Sequence, residues 1–233
     1  MKTVLPGRLA AVASFVREGA YLADIGTDHA YLPIFLAERG RISYAVASDI
    51  RPGPLLRAEE NIRMAGLSER IQTIQTDGLS GLERYPLTDI VIAGMGGMEI
   101  AAILDAAPFI KRTRPRLILQ PMQHIPELRD FLARGWNTEK ETQTTDGGRL
   151  YQIFCVTYDG ISRPITEAER LLGRCNIEHR AENPALFRIL CERQLALLDE
   201  KIAGLERGGR DASKQKELRR SIAALMQDLP PQN

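Results

Sequence analysis

The segment of this chain that says most about its fold reads Leu22-Ala23-Asp24-Ile25-Gly26-Thr27-Asp28-His29-Ala30-Tyr31-Leu32-Pro33. An apolar run comes first, a glycine between two aspartates follows, and the remainder has the periodicity of a helix. This order predicts a strand, a sharp turn and a helix, in which Gly26 lets the backbone pass close to a ligand. Asp24 and Asp28 place two carboxylates at that turn.

The same alternation continues outward from this segment, between residues 20 and 160. Strands are predicted at 21–25, 44–48, 71–76, 89–93 and 116–120, and helices at 31–39, 52–65, 98–106 and 124–134. Strands that alternate with helices indicate right-handed βαβ units and a parallel sheet. Two β-rich runs, 138–144 and 150–158, flank Asp146-Gly147-Gly148 and predict an antiparallel hairpin at the end of the sheet. The expected fold is therefore α/β, with a Rossmann-like sheet that is mostly parallel.

The chain changes character after residue 161, where strand patterns stop and helical ones begin. Two apolar stripes recur at steps of three and four on either side of Gly208-Gly209, namely Leu195, Leu198, Ile202 and Leu205, then Leu218, Ile222, Leu225 and Leu229. They predict an antiparallel, coiled-coil-like helical hairpin over 184–229, with Pro230-Pro231 as a stop. We thus expect two domains, 1–160 and 161–233. The hairpin can pack within one chain or between two, and a monomer is favoured.

Composition excludes several classes of protein. Thirty-one basic and 30 acidic side chains give a net charge of +1, so overall charge does not indicate a nucleic-acid binder. No apolar run approaches the roughly 18 residues that span a bilayer, and the first residues lack the apolar core of a secretory signal. A soluble cytoplasmic protein without membrane contact is expected. Three cysteines without C-x-x-C spacing speak against disulfides and a zinc ribbon, and no metal is expected.

The candidate binding site is the carboxyl edge of the predicted sheet, because ligands of open parallel sheets bind there. The phosphate-binding pattern G-x-G-x-x-G is absent, and so is G-x-x-x-x-G-K-[ST], which disfavours dinucleotides and nucleoside triphosphates. Asp24 and Asp28 suit a cationic amine better than a pyrophosphate. Asp49, followed by Ile50, ends the second strand 23 residues after Gly26 and is placed to accept the ribose hydroxyls of a nucleoside.

The third and fourth strand ends complete this pattern. Asp77-Gly78 follows the third strand, where a carboxylate can accept a hydrogen bond from an adenine amino group. Ala93-Gly94-Met95 follows the fourth strand, and its small side chains leave the backbone open to a ligand. Three acids and an open loop match S-adenosylmethionine, the expected cofactor. Its predicted contacts are Asp24, Gly26, Asp28, Asp49, Ile50, Asp77, Gly78, Ala93, Gly94 and Met95.

Four motifs carry a resemblance to a known family. They are the segment 24–33 quoted above, Asp77-Gly78-Leu79, Ile92-Ala93-Gly94-Met95-Gly96-Gly97 and Leu119-Gln120-Pro121, and they are similar to those of the bacterial tRNA (adenine-22-N1)-methyltransferases. The similarity runs through nearly the whole chain, since that family joins a class I methyltransferase domain to a helical extension. The general class I loop has further glycines where this chain has Asp28 and Ala30, which agrees with the narrower family. The resemblance implies methyl transfer from S-adenosylmethionine to N1 of a D-arm adenine, with tRNA as the partner.

Asp28, His29 and Tyr31 are the candidate catalytic residues, each with a plainer alternative. N1 carries a lone pair and needs no deprotonation, while the methylated base is cationic, so Asp28 would stabilise the developing charge. Otherwise it caps the following helix. His29 would contact the base or a phosphate or accept a proton, or it is a buried, hydrogen-bonded histidine. Tyr31 would stack on a flipped adenine, or it packs on the sheet.

Arg8 and Gln120 are the candidate substrate-binding residues. Arg8 lies on a predicted N-terminal helix that can fold over the cofactor mouth, and otherwise it is a surface arginine. Gln120, at the end of the fifth strand, offers an amide that can read an adenine edge, or it bonds to the adjacent loop. The basic cluster 111–116 precedes that strand and is expected at the opposite edge of the sheet, as a solvated loop.

The helical extension is a further candidate for tRNA contact. Five of its arginines are candidates for binding RNA phosphates: Arg170, Arg174, Arg180, Arg188 and Arg193. Interspersed glutamates make an ordinary mixed-charge surface the alternative. Two other functions stay open on the sequence alone, a methyltransferase that acts on a small molecule or protein and a non-catalytic oligomerisation module.

Overall fold

The computed structural model of the protein describes residues 3–229, so the stop expected at Pro230-Pro231 lies outside the described residues. Its helices are α1 (Gly7–Ser14), α2 (Tyr31–Glu38), α3 (Pro52–Met64), α4 (Gly97–Asp105), α5 (Phe109–Thr113), α6 (Ile125–Leu132), α7 (Glu167–Leu172), α8 (Arg174–Glu178), α9 (Pro184–Arg207) and α10 (Ser213–Gln227). Its strands are β1 (Ala20–Ile25), β2 (Ile42–Asp49), β3 (Ile71–Gln75), β4 (Asp89–Met95), β5 (Arg116–Pro121), β6 (Arg134–Asp146) and β7 (Arg149–Ser162). The five strands and four helices predicted before residue 135 are confirmed, with bounds that shift by at most two residues.

The strands form one seven-stranded sheet in the order β3-β2-β1-β4-β5-β7-β6. Strands β1 to β5 are parallel, β7 runs antiparallel to β5, and β6 pairs antiparallel with β7. This confirms the Rossmann-like α/β fold with a C-terminal hairpin. The strand order reverses between β1 and β4, so the loops that follow these two strands open into the same crevice.

Helices cover both faces of the sheet, which explains why its central strands are continuously apolar. In β4, Val91 packs with the cluster that contains α1, α2 and α3, while Ile90 and Ile92 pack with α4 and α6 on the other face. All three side chains are fully buried. Side chains alternate between the faces of a strand, so a strand covered on both sides is apolar at every position. Among residues 3–229, no helix is long and apolar enough to cross a membrane.

The basic cluster 111–116 lies at the amino-terminal edge of the sheet, as predicted. Arg116 pairs in register with Asp89, and both residues begin their strands. The cluster is not a loop throughout, because Lys111 and Arg112 belong to the short helix α5. Its arginines therefore lie at the edge opposite the crevice between β1 and β4.

The C-terminal extension contains the predicted antiparallel hairpin, formed by α9 and α10 within one chain. Lys216 Nζ lies 2.6 Å from Glu206 Oε1, and Arg219 Nε lies 2.5 Å from Asp199 Oδ1. These pairs join the start of α10 to the end of α9, as an antiparallel arrangement requires. Apolar residues of both predicted stripes form a separate core, in which Leu198 and Ile222 are buried.

The extension is anchored to the sheet by a buried charged cluster centred on Arg129 of α6. Arg129 Nη1 donates to the backbone oxygens of Arg170 at 3.0 Å and Leu171 at 3.1 Å, both on α7. Its Nη2 donates to Gln152 Oε1 at 2.6 Å and to the carboxylate of Glu141. Residue 160 lies inside β7, and the division of the chain into two domains at that point stays a prediction.

Candidate functional site

The turn between β1 and α2 is held by the neighbouring strands. Gly26 has a φ of +71°, and its N–H and that of Thr27 donate to the backbone oxygen of Ser48 at 2.8 and 2.9 Å. A Cβ at Gly26 would overlap the terminal methyl of Met95, the last residue of β4. The positive φ therefore favours glycine at this position, and the flexible end of the Met95 side chain fills the space beside it.

Asp24, the residue before last in β1, is a buried carboxylate without a counter-charge. Its side chain accepts a hydrogen bond from Thr27 Oγ1 at 2.5 Å, and no cation of residues 3–229 pairs with it. Burial raises the pKa of Asp24 to about 6, although the bond from Thr27 acts in the opposite direction. A buried carboxylate whose one hydrogen-bond partner is neutral suits a ligand with a cationic group, because that group supplies the missing counter-charge.

The raised pKa of Asp24 predicts a pH-dependent stability. The folded protein holds the Asp24 proton up to about pH 6, whereas the unfolded chain releases it near the ordinary pKa of 3.8. Folding therefore binds a proton in this window, and Asp24 adds stability that is present below the window and lost as pH rises through it. We expect the free energy of unfolding of the ligand-free protein to rise by up to about 3 kcal/mol relative to Asp24→Asn as pH falls through the window. Urea unfolding of both proteins across this range checks it, and a constant difference between them contradicts it.

The ends of β2 and β3 bring two more predicted acids to the same edge. Asp49 is buried, and its Oδ1 accepts a hydrogen bond from the N–H of Arg51 at 2.9 Å, while Oδ2 accepts none from the described residues. Asp77 is exposed in the loop after β3, beside Gly78 with its φ of +54°. Asp24, Asp49 and Asp77 thus lie at or just beyond the carboxyl ends of three adjacent strands, as predicted. Within residues 3–229 no such set of acids, histidines or cysteines is grouped to hold a metal.

The end of β4 presents open backbone to the crevice. Gly94 is exposed with a φ of +84°, and the nearest atom to the position of a Cβ there is Arg8 Nη1 at 3.8 Å. Ala93 and Met95 on either side are half-buried. A planar or bulky group can therefore approach this stretch of chain, with the guanidinium of Arg8 close by.

Four strand ends each carry one exposed large apolar side chain. Tyr31 follows β1, Ile50 follows β2, Met98 follows β4 and Met122 follows β5, with exposed fractions of 45% to 58%. Exposed apolar groups that surround a crevice indicate a site for the flat or apolar part of a ligand. Tyr31 and Ile50 are predicted site residues, whereas sequence reasoning missed Met98 and Met122. The signal for both was a methionine soon after a strand end.

The three candidate catalytic residues lie together at the mouth of the β1–α2 turn. Asp28 Oδ1 lies 3.2 Å from Arg57 Nη2, and Asp28 Oδ2 lies 3.4 Å from His29 Nε2. The rings of His29 and Tyr31 stack with centroids 5.1 Å apart and planes 13° apart. Ala30 occupies the N-cap position of α2, so Asp28 is not the helix cap. His29 and Tyr31 are only partly buried, so neither the fully buried histidine nor the sheet-packed tyrosine is observed.

The turn also has partners on α3 that sequence reasoning missed. Arg57 reaches Asp28, and Asn61 Nδ2 donates to the backbone oxygen of His29 at 3.0 Å. These two residues are one helical turn apart, so both lie on the face of α3 towards the turn. Asp28 and Ala30 have φ values of 50° and 56°, which non-glycine residues rarely adopt. No local signal in the sequence indicates these partners, because about 30 residues separate them from the turn.

The two candidate substrate residues contact each other. Arg8 Nη1 donates to Gln120 Oε1, and its guanidinium lies 5.7 Å from the ring centroid of Tyr151. Gln120 is fully buried, and its Nε2 donates to the backbone oxygen of Pro121 at 2.9 Å. Both polar atoms of the Gln120 amide have partners within the protein, one of them in the adjacent loop, and its direct contact with a base stays a prediction. Arg8 is positioned at the crevice by Gln120.

Four of the five candidate arginines of the extension interact within the described chain, Arg188 among them. Arg170 pairs with Asp130 and Glu127, Arg174 pairs with Glu169, and Arg180 pairs with Asp228. Arg193 is exposed, and the described chain offers it no hydrogen bond or ion pair. Part of this segment is therefore a mixed-charge surface with internal ion pairs, as in the alternative. The side chain of Arg193, in contrast, is unpaired in the described chain.

Comparisons with known proteins agree with this geometry. The methyltransferase domain family matches residues 5–154. The tRNA (adenine(22)-N(1))-methyltransferase of Bacillus subtilis is 37% identical over 166 residues, which are 68% of this chain and 70% of that protein. The crystal structure of the B. subtilis m1A22 tRNA methyltransferase superposes with a TM-score of 0.78 at 30% identity over 97% of both chains. A Streptococcus pneumoniae protein in complex with S-adenosyl-L-methionine superposes with a TM-score of 0.81 at 32% identity, over 94% of this chain and 98% of that one.

Proposed function

The chain belongs to the methyltransferase domain family and, within it, to the tRNA (adenine(22)-N1)-methyltransferases, and from this premise we propose that it methylates N1 of a D-arm adenine in tRNA. The proposed methyl donor is S-adenosylmethionine. The single observation that carries the proposal is the buried carboxylate of Asp24, which lacks a counter-charge among the described residues. It lies on β1, next to the strand that ends in the open loop at Gly94.

The residues at the sheet edge fit this cofactor. Asp24 would accept hydrogen bonds from the cationic amino group, and Asp49 would accept them from the ribose hydroxyls through its unoccupied Oδ2. Asp77 is exposed and able to accept a bond from the adenine amino group, and Ile50 offers an apolar surface to the adenine ring. The exposed backbone at Gly94 leaves space for a ligand to approach the end of β4.

The chain's contribution to the reaction is placement and electrostatics. When bound, S-adenosylmethionine supplies an electrophilic methyl group on sulfur. N1 of neutral adenine attacks with its own lone pair, so no base has to remove a proton first, and alignment is the main requirement. The N1–carbon bond forms as the carbon–sulfur bond breaks, and the positive charge passes to the base. We assign to Asp28 the role of stabilising that charge.

His29 and Tyr31 form a platform for the target base. N1 lies on the Watson–Crick edge, so an adenine that is methylated there must be free of its pairing partner. The stacked pair presents the partly exposed ring of Tyr31 to the crevice, where a second aromatic plane can stack on it. His29 holds Tyr31 in place and lies beside Asp28.

Arg8 is better suited to a phosphate than to the target base. The methylated adenine is cationic, and a guanidinium against it would oppose the reaction. A phosphate that flanks the target nucleotide has the opposite charge and accepts paired hydrogen bonds from a guanidinium. Gln120 acts through Arg8, because it fixes the guanidinium near Gly94 and is itself buried.

The helical hairpin of α9 and α10 is the proposed contact with the tRNA elbow. The support is the exposed Arg193 and the position of α9, which packs against β6 and β7 of the sheet. An RNA that enters the crevice therefore has the hairpin beside it. Removing everything after Ile161 is a poor test of this contact, because α7 would be lost together with the backbone oxygens that Arg129 binds.

Incubation of the protein with labelled S-adenosylmethionine and unmodified tRNA, followed by mass spectrometry of the digested nucleosides, tests the proposed function. We expect N1-methyladenosine from the wild type and a kcat lowered about 10- to 100-fold in Asp28→Asn, because that change removes the charge that stabilises the product base. Asparagine tolerates the positive φ of Asp28, so the fold should be unchanged. Glu60→Gln, on the exposed face of α3, is the matched control.

The possible results test the proposed substrate, the proposed cofactor and the role of Asp28 separately. No methylated adenine with the wild type, despite cofactor binding, refutes the proposed substrate and favours a small molecule or protein. No cofactor binding at all favours a non-catalytic oligomerisation module. Wild-type methylation together with an unchanged kcat in Asp28→Asn refutes the role of Asp28 alone.

A further inference from the structure

A cavity of about 710 Å³ lies between the sheet edge and the helical hairpin. It begins at Met122, immediately after β5, and extends past Tyr151 of β7 to Leu197 and Lys201 of α9. The N–H of Met122 donates to the backbone oxygen of Met95 at 2.8 Å, so the near wall of the cavity is bonded to the β4 loop of the crevice. The cavity therefore borders the candidate active site, and its volume lies in the range of small-molecule sites.

Positive charge dominates the lining of this cavity. Four cationic side chains line it, Arg149, Arg170, Arg193 and Lys201, against one acidic side chain, Glu167. Arg170 is neutralised by Asp130 and Glu127. The other three cations are exposed, and in the described part of the chain none of them forms a hydrogen bond or an ion pair. Three uncompensated cations around one cavity favour an occupant with phosphate groups.

Apolar side chains lie beside these cations. Met122 and Leu197 have exposed fractions of 45% and 56%, although both are large and hydrophobic. The partly buried ring of Tyr151 lies in the same lining, beside the guanidinium of Arg8. Apolar and aromatic surface next to unpaired cations is the combination that binds single-stranded nucleotides, where bases stack and phosphates are paired.

We propose that this cavity is a second nucleotide site, which holds an unpaired nucleotide next to the target adenine. Its base lies against Met122, Tyr151 and Leu197, and its phosphates are bound by Arg149, Arg193 and Lys201. The inference rests on the proposed RNA substrate and deepens it. The target base must leave its pairing partner to expose N1, and a pocket for the neighbouring nucleotide stabilises that unpaired strand and selects adenines that have one.

The test of the phosphate contacts is a double variant, Arg193→Gln with Lys201→Gln, in the full-length protein. We expect kcat/KM for tRNA to fall roughly 10-fold. The slope of log KM against log salt concentration should decrease by about 1.5, because two phosphate contacts are lost. Cofactor affinity should not change. The matched control, Arg112→Gln with Arg114→Gln, removes two exposed charges at the sheet edge opposite the crevice, outside the cavity, and should stay within about twofold of the wild type.

The base contact is tested with an RNA stem–loop in which each nucleotide beside the target is replaced in turn by an abasic one. We expect one of the two abasic replacements to raise the KM of the wild type about 10-fold. The same replacement should raise the KM of Leu197→Asp by less than about twofold, because the base contact is already lost in that variant. Equal penalties in both proteins overturn the base contact, and a double variant that behaves like its control overturns the phosphate contacts. A wild type that methylates no RNA refutes the proposed function instead.

Discussion

Replacing Asp24 with asparagine is expected to weaken the binding of S-adenosylmethionine about 100-fold or more and to abolish methylation at ordinary cofactor concentrations. Asp24 is the buried carboxylate that meets the cationic amine in the proposed site, and truncating one member of a buried charge pair costs about 2–5 kcal/mol. Asparagine keeps the shape of the side chain and removes only the charge. Isothermal titration of cofactor into both proteins measures the change.

The same substitution should not destabilise the ligand-free protein. Burial without a counter-charge raises the pKa of Asp24 to about 6, which means that the ionised form opposes folding at neutral pH. Asparagine removes that cost, so the free energy of unfolding should be equal to or higher than that of the wild type. Asp105→Asn, at an exposed carboxylate, is the control and should change neither quantity. Unchanged cofactor affinity in Asp24→Asn would place the amino group elsewhere.

Replacing Glu141 with alanine is expected to lower the free energy of unfolding by about 3–5 kcal/mol, because the charge of Arg129 would stay buried without its partner. The side chains of Arg129 and Glu141 have exposed fractions of 6% and 2%. A loss of this size is a large part of the usual stability of a protein of this length and lowers Tm by about 10 °C. Thermal and urea unfolding measure it.

The neighbouring Glu139 is the matched control for this prediction. It lies on the same strand and pairs with Arg116, but both side chains are about 30% exposed, so Glu139→Ala should cost no more than about 1 kcal/mol. Equal losses of unfolding free energy at the two positions would show that the buried ion pair stabilises the protein no more than the exposed one. A large loss of unfolding free energy in Glu141→Ala but not in Glu139→Ala, with a single unfolding transition, would show that α7 unfolds together with the sheet. This is expected because Arg129 also binds the backbone of α7.

Gly173, between α7 and α8, also indicates that the start of the extension packs closely against the buried cluster of Arg129 and Glu141. It has a φ of +89°, and a Cβ there would overlap the carboxylate of Glu141. The chain between α7 and α8 therefore passes as close to the buried cluster as a glycine allows. From the sequence, residue 161 marks a change from strand to helix, whereas in the structure β7 continues to Ser162.

The sequence alone predicted the α/β sheet, the helical hairpin and the strand ends that carry the site. Each of these follows from interactions between residues close in the chain, since side-chain periodicity distinguishes strand from helix and glycine marks the sharp turns. Parallel strands place their carboxyl ends at one edge, so Asp24, Asp49 and Asp77 could be assigned to one site without a structure. The resemblance to a family supplied the substrate, which the residue types by themselves did not indicate.

Only the tertiary structure decided which side chains meet. Gln120 bonds to Arg8 across 112 residues, and Arg57 pairs with Asp28 across 29, and no periodic pattern records such partners. The cavity beside α9 depends on how the hairpin packs against β7, which local sequence does not specify. Folding buries side chains according to three-dimensional packing, so the pairing of Arg129 and the lack of a counter-charge at Asp24 appear only in the folded chain.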